Sequence, residues 1–225
     1  MSQRENIVVA VDGPSGSGKS SVSRAVASKL GYRYLDTGAM YRAMTWWMLQ
    51  HGVAVDDPAA VAAAVSRPEI RVTTDPAEPG ITVDGTDVAE AIRTREVTTA
   101  VSTVSSVPEV RARLVALQRD QIGAGGIVVE GRDIGTVVAP DAPVKVYLVA
   151  DEATRAARRT ADKQSRLGTS VDVTQADLAR RDRIDSTRAA SPAGKAADAV
   201  EIDSTALSLA EVIDRVFDLV REATG

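Results

Sequence analysis

The sequence predicts an α/β domain with a parallel sheet flanked by helices. Three observations carry that reading. Ile7–Val11 is an unbroken apolar run, as a strand buried on both faces reads, and it passes through a glycine-rich turn into a helical stripe. Short apolar strands then alternate with amphipathic helical patterns to the end of the chain. Between them, Ile70–Val88 changes to a period of two, which marks a small antiparallel unit inserted into the alternation.

Taken in order, Ile7–Val11 is the first strand, and Val22, Ala25, Val26 and Lys29/Leu30 follow helical spacing up to the stop at Gly31. Tyr32–Leu35 reads as the second strand. Met40, Met44, Trp47 and Met48 recur at i, i+4, i+7 and i+8, which predicts a helix over 39–51 with a bulky core face and a stop at Gly52. Asp57-Pro58 supplies an N-cap and a first helical position for a short Ala/Val helix. Ile70/Val72 and Ile81/Val83 alternate with polar residues, and Asp84-Gly85 is a tight-turn dipeptide. Val97, Val101 and Val104, then Val110, Leu114 and Leu117, form two helical stripes, with Pro108 able to start the second but not to lie within the first. Ile127–Val129, Val144–Val149 and Ala199–Ile202 complete five core strands. Two Arg/Ala-rich helices are expected at about 152–167 and 175–186, joined by Gly168–Val173 and followed by a loop over Ala189–Lys195; this excursion is expected to move. Ser208-Leu209-Ala210-Glu211 is a capping box that opens the last helix.

Composition narrows the function. At 225 residues, with 44% hydrophobic and 26% charged residues, the chain fits one globular domain with an insertion rather than a disordered or fibrous protein. A net charge of −4 provides no overall field for nucleic acid or anionic lipid, so any polyanion site must be local. The absence of Cys removes disulfides, thiolate metal sites and Cys nucleophiles, and it suits the cytoplasm. No apolar run approaches the roughly 20 residues of a membrane span, and Met1–Asn6 is too polar to begin a signal peptide, so export and insertion are not expected. The single histidine, His51, lies at a helix end and reads as a surface residue, which argues against His-based acid–base chemistry.

Four groups carry chemistry. Gly13-Pro14-Ser15-Gly16-Ser17-Gly18-Lys19-Ser20 fits G-x-x-x-x-G-K-[ST], with Ser21 next, and it follows a strand and opens a helix as that motif must. Its glycines let backbone N–H groups close around phosphate oxygens, Lys19 reaches the β/γ-phosphates and Ser20 can hold Mg²⁺. Second, Asp36, Thr37, Tyr41 and Arg42 follow the C-terminal end of the second strand, where open α/β sheets bind ligands; a helix cap beside a solvated Arg would read the same way. Third, Glu130-Gly131-Arg132-Asp133 places an acid at the end of an apolar strand, with an Arg and an Asp just beyond. Fourth, Arg155, Arg158, Arg159, Arg181, Asp185 and Arg188 concentrate guanidinium groups on the excursion, where they suit a phosphate-clamping lid and equally an ordinary solvated helix face. There is no N-K-x-D guanine reader and no L-S-G-G-Q element, which leaves a small phosphotransferase ahead of GTPase switches and ABC-type ATPases.

In combination, GPSGSGKS, LDTGAMYRA, IRTREVTTAVSTVSSVPEVRARLVALQR, EGRDIGTVV, RRDRIDSTRAASP and EIDSTALSL resemble the bacterial cytidylate kinase family almost from end to end. The resemblance implies a P-loop kinase sheet of order 2-3-1-4-5 in a single domain over 1–225. It also implies a nucleoside-monophosphate-binding insertion at about 66–93 and a helical lid at about 155–170. It places cytosine readers on Ser102, Arg111 and Asp133, acceptor-phosphate arginines on Arg42, Arg132 and Arg188, and sugar contacts on Arg181 and Asp185, with Tyr41 packed by the acceptor nucleotide. Thr37 stands where Ser also occurs, and Glu130 where Asp is expected. A cytosine amino group suits Asp133 or Ser102 as acceptor, while N3 and O2 suit Arg111, a pattern uridine would leave partly unpaired.

The expected reaction moves the γ-phosphoryl group of ATP to CMP or dCMP. Lys19, Arg132, Arg158, Arg181 and Arg188 would stabilise charge, and Mg²⁺ would rest on Ser20 with Asp36 and Glu130 reaching it through water. The expected partners are these small molecules only, with no nucleic acid and no membrane, and the chain is expected to be a cytoplasmic monomer. The competing readings are a UMP-preferring kinase and a non-enzymatic nucleotide-dependent binding switch, both separable by offering different acceptors.

Overall fold

In the computed structural model, which describes residues 6–161, 171–188 and 191–225, five parallel strands form the centre. They are β1 (Val8–Asp12), β2 (Arg33–Asp36), β6 (Ile127–Gly131), β7 (Val144–Val149) and β8 (Val200–Asp203), arranged β2-β6-β1-β7-β8. Counted along the chain, that order is the expected 2-3-1-4-5. Helices α1 (Lys19–Leu30) and α8 (Leu209–Thr224) cover one face, and α2 (Thr37–Gln50), α4 (Arg95–Ser106) and α5 (Pro108–Ile122) the other. The central strand shows why its sequence is continuously apolar: Val9 and Val11 enter the core under α1 and α8, while Ala10 enters the opposite core.

The period-two stretch is a separate three-stranded antiparallel sheet of β3 (Ile70–Thr73), β4 (Gly80–Val83) and β5 (Thr86–Asp87), preceded by the short α3 (Pro58–Ala64). Ile70 pairs with Val83 and Val72 with Ile81, and their apolar faces join the core formed by Met40, Met44, Trp47 and Met48 of α2. Asp84 (φ 50°) and Gly85 (φ 79°) make the β4–β5 turn. Trp47 Nε1 donates to Asp84 Oδ2 at 2.7 Å, which ties this turn to α2.

Several boundaries differ from the sequence reading. β2 begins at Arg33 rather than Tyr32, because Tyr32 N is spent closing α1 on Ala27 O at 2.8 Å. α2 begins at Thr37 rather than 39, because Asp36 caps it, accepting from Ala39 N at 2.9 Å. A five-residue π-helical turn, Ile134–Val138, follows β6 where no element was expected. Of the excursion, α6 (Glu152–Ala161) and α7 (Val171–Thr187) are described. The rest of the first expected helix and residues 168–170 of the link lie outside the described residues, as do 162–170 of the expected lid. Residues 171–173, read as link, belong to α7; the polarity that suggested a link suits a helix's first turn equally. Among the described residues, no helix is long and apolar enough to cross a membrane.

Candidate active site

The C-terminal ends of β1, β2 and β6 open into a cleft of about 600 Å³. On its donor side β1 ends at Asp12, and Gly13 (φ 147°) backs onto β7 so closely that a Cβ would lie 2.1 Å from Leu148 O. Gly16 (φ 81°) approaches Arg155 O in the same way, at 2.7 Å from a would-be Cβ. Gly18 is the N-cap of α1 and brings no side chain to that role, so the first-turn amides are left to a ligand or to water. Lys19 Nζ folds back to donate to Pro14 O at 2.8 Å. Burial, and next the Arg132 charge, hold this ammonium below its usual pKa range. Ser15 to Ser21 line the cleft, whereas Gly13 and Pro14 shape the loop from behind.

The adjoining edge carries the acids. Glu130 is buried near the end of β6, where Tyr34 Oη donates to its carboxylate and Thr37 Oγ1 donates to its backbone oxygen at 2.7 Å. Burial, reinforced by the Asp36 charge, pushes the Glu130 carboxyl above the ordinary range. Asp36 both caps α2 and faces the cleft, so the cap reading of that residue holds alongside its place in the site. Tyr34 escaped the sequence reading because it reads simply as a strand residue.

Across the cleft, Arg111 donates to the Asp133 carboxylate and Arg188 Nη2 stands 3.7 Å from it. Both guanidiniums are buried, and the Tyr41 ring lies 5.2 Å from the Arg111 guanidinium. Burial outweighs these cations and raises the Asp133 pKa. Ser102 Oγ, Arg111 Nε, Arg181 Nε and Arg188 Nη2 are buried with no hydrogen-bond partner among the described residues, a costly condition that a bound polar ligand would relieve. Arg42 Nη1 donates to Thr98 Oγ1 at 2.9 Å and to Ile92 O at 3.1 Å, both neutral acceptors. Burial and then Arg132 lower the Arg181 pKa to about 10, which leaves it charged at neutral pH.

The excursion closes the third side. Asp182 of α7 pairs with Arg132 at 2.8 Å and with Arg155, and accepts from Ser15 N at 3.4 Å. Asp185 pairs with Arg132 at 3.2 Å. Arg158 Nη1 donates to Ser204 Oγ at 2.9 Å and reaches Ser17 O at 3.4 Å, so it braces the phosphate loop against the segment after β8. Arg159 also lines the cleft, while Arg155 lies behind the loop. Asp182 and Ser204 were not singled out from sequence. Asp182 had a signal, its place between Arg181 and Asp185 on one helix; Ser204 had none.

Residues 9–222 match the family model described as cytidylate kinase. A cytidylate kinase of Streptomyces coelicolor is 59% identical over 218 residues, covering 96% of this chain and 93% of that one. One from Streptomyces avermitilis is 56% identical with the same coverage. Among solved structures, a gluconokinase from Sinorhizobium meliloti superposes with a TM-score of 0.52 at 16% identity, covering 98% of this chain and 94% of the other; that likeness speaks to the fold alone.

Proposed function

Since the chain belongs to the cytidylate kinase family, we propose that it transfers the γ-phosphoryl group of ATP to CMP or dCMP, giving ADP and CDP or dCDP. The observation that carries the assignment is one continuous cleft. At one end lies the phosphate loop Gly13–Ser20, and at the other the buried Ser102, Arg111 and Asp133, of which Ser102 Oγ and Arg111 Nε have no hydrogen-bond partner among the described residues. ATP belongs on the loop and the monophosphate on the far side, with the antiparallel insertion at about 66–93 supporting the acceptor half and the segment at about 155–170 acting as lid.

An ionised α-phosphate oxygen of the acceptor attacks the γ-phosphorus in line. A P–O bond forms to the acceptor, and the bond to the β,γ-bridging oxygen breaks with its electron pair leaving on ADP. The nucleophile is already ionised, so no general base is needed, and His51, stacked on Trp47 at a centroid distance of 3.9 Å, is exposed and takes no part. Lys19 and Arg158 hold the donor, and Arg42, Arg132 and Arg188 hold the acceptor phosphate. Arg181 and Asp185 take the sugar, and Lys19 with the arginines offsets the charge of the transition state. Asp133 and Ser102 accept from the cytosine amino group while Arg111 donates to its ring acceptors.

The oxygen donors of Ser20, Asp36 and Glu130 suit a hard divalent cation; burial first and the Asp36 charge second raise the Glu130 pKa, and a cation there would offset both. Bound there, Mg²⁺ would supply neutralisation of the donor's phosphate charge. The reading extends to a cytoplasmic monomer acting on small molecules. The test is ADP release from ATP and Mg²⁺ with CMP, dCMP, UMP and AMP offered separately. Fast turnover with CMP and dCMP is expected, whereas preference for UMP or silence with all four would overturn it.

A further inference from the structure

Asp12 is a buried carboxylate with no role in the chemistry above. It is 4% exposed, and among the described residues no cation lies within ion-pair distance of it. Its two oxygens are spent on backbone: Oδ1 accepts from Ile134 N and Oδ2 from Gly135 N, each at 2.8 Å. Burying a charge is costly, and two neutral backbone donors offset that only in part. Packing alone would be served as well by an apolar side chain.

Its position shows what the contact does. In the parallel ladder Asp12 is registered opposite Gly131 on one side and Tyr147 on the other, so its backbone is held by both neighbouring strands. Gly131 is therefore fixed by the ladder, and Ile134 and Gly135 by the Asp12 side chain. Only Arg132 and Asp133 lie between those two attachments. These are the residues that pair with Asp185, Asp182, Arg111 and Arg188 around the acceptor half of the cleft. Asp12 also directly precedes Gly13, the first residue of the phosphate loop. One rigid residue thus fixes the donor cradle and the acceptor-reading peptide relative to each other.

We propose that Asp12 is a specificity-determining positioning residue, which sets Arg132 and Asp133 against the pyrimidine nucleotide by pinning the peptide at 134–135. This rests on the acceptor reading given above. The test compares kcat/KM for CMP with that for UMP at saturating ATP in wild type, Asp12→Asn and Asp12→Ala. The ratio of the two is independent of the fraction of enzyme that is folded. Displacing a reader by one hydrogen bond's worth is expected to cut discrimination by about tenfold in the Ala variant, through KM for CMP more than through kcat, with KM for ATP within about twofold. Asn keeps one acceptor and is expected to fall between. If Ala does not fold, Asn carries the comparison.

Val146→Ala, a core truncation in β7, is the control for loosening of the fold. It should lower the melting temperature and leave the ratio alone. An unchanged ratio in the Asp12 variants, or an equal loss in Val146→Ala, would overturn the proposal. A wild type that favours another acceptor would instead overturn the substrate reading, and the same comparison then judges Asp12 on that acceptor against its nearest analogue. Calorimetric titration with CMP reads the same displacement as a roughly tenfold weaker Kd without requiring turnover.

Discussion

Lys19 spans the mouth of the phosphate loop with a single hydrogen bond to Pro14 O. Lys19→Ala is expected to lower kcat by at least about 100-fold, as removal of a charge-stabilising donor does, and to move the melting temperature by no more than about 2–4 °C. A coupled ADP assay beside a thermal melt checks both. Asp133→Asn leaves Arg111 with a weaker acceptor and should reduce kcat/KM for CMP by about 10- to 100-fold with KM for ATP little changed, read from steady-state kinetics. Asp12 gives a pH signature. Its pKa is raised by burial from 3.8 to about 6, so the folded state binds the proton more tightly than the unfolded chain. Its contribution to stability is therefore fully present below about pH 4 and is withdrawn as pH rises through about 6, by about 3 kcal/mol in all. Urea melts should show the stability of Asp12→Asn gaining on wild type by about that amount between pH 4 and pH 7; a constant difference would contradict the assignment. The phosphate-loop residues were legible in the sequence because the motif fixes residue types and spacing together. Asp12 and Tyr34 were not, because a lone polar residue in a strand has no spacing to distinguish it, and their partners are 96 residues away for Tyr34 and at least 122 for Asp12.

At the scale of elements, legibility followed how each segment announces its period or its ends. α2 declared itself through Met40, Met44, Trp47 and Met48, all of them buried. α8 declared itself through its capping box, in which Ser208 and Glu211 exchange hydrogen bonds as the sequence suggested. Ser208→Ala should cost about 1 kcal/mol and lower the melting temperature by about 2–4 °C, with no change in turnover, since the cap faces solvent. β5 is two residues of polar sequence and was invisible to any periodicity argument; only pairing with β4 defines it. The π-helical turn at Ile134–Val138 was hidden because its backbone is organised by Asp12, a residue distant in sequence, rather than by its own composition.

For the whole molecule, the strand order brings the chemistry together. β1 lies between β6 and β7, so the phosphate loop and the Glu130–Asp133 segment leave adjacent strands at the same edge, while β2 brings Asp36 and Arg42 to β6 from the other side. A chain of net charge −4 thereby gathers Lys19, Arg42, Arg132, Arg181 and Arg188 around one cleft, a local field the overall composition does not reveal. The central claim is that this field serves transfer between two nucleotides rather than hydrolysis or switching. The most direct measurement is to supply ATP labelled at the γ-phosphoryl group together with CMP and Mg²⁺, and to follow the label. It should appear in the β-phosphate of CDP, one for each ADP formed. Label released as inorganic phosphate, or retained on ATP while CMP is bound, would contradict the account.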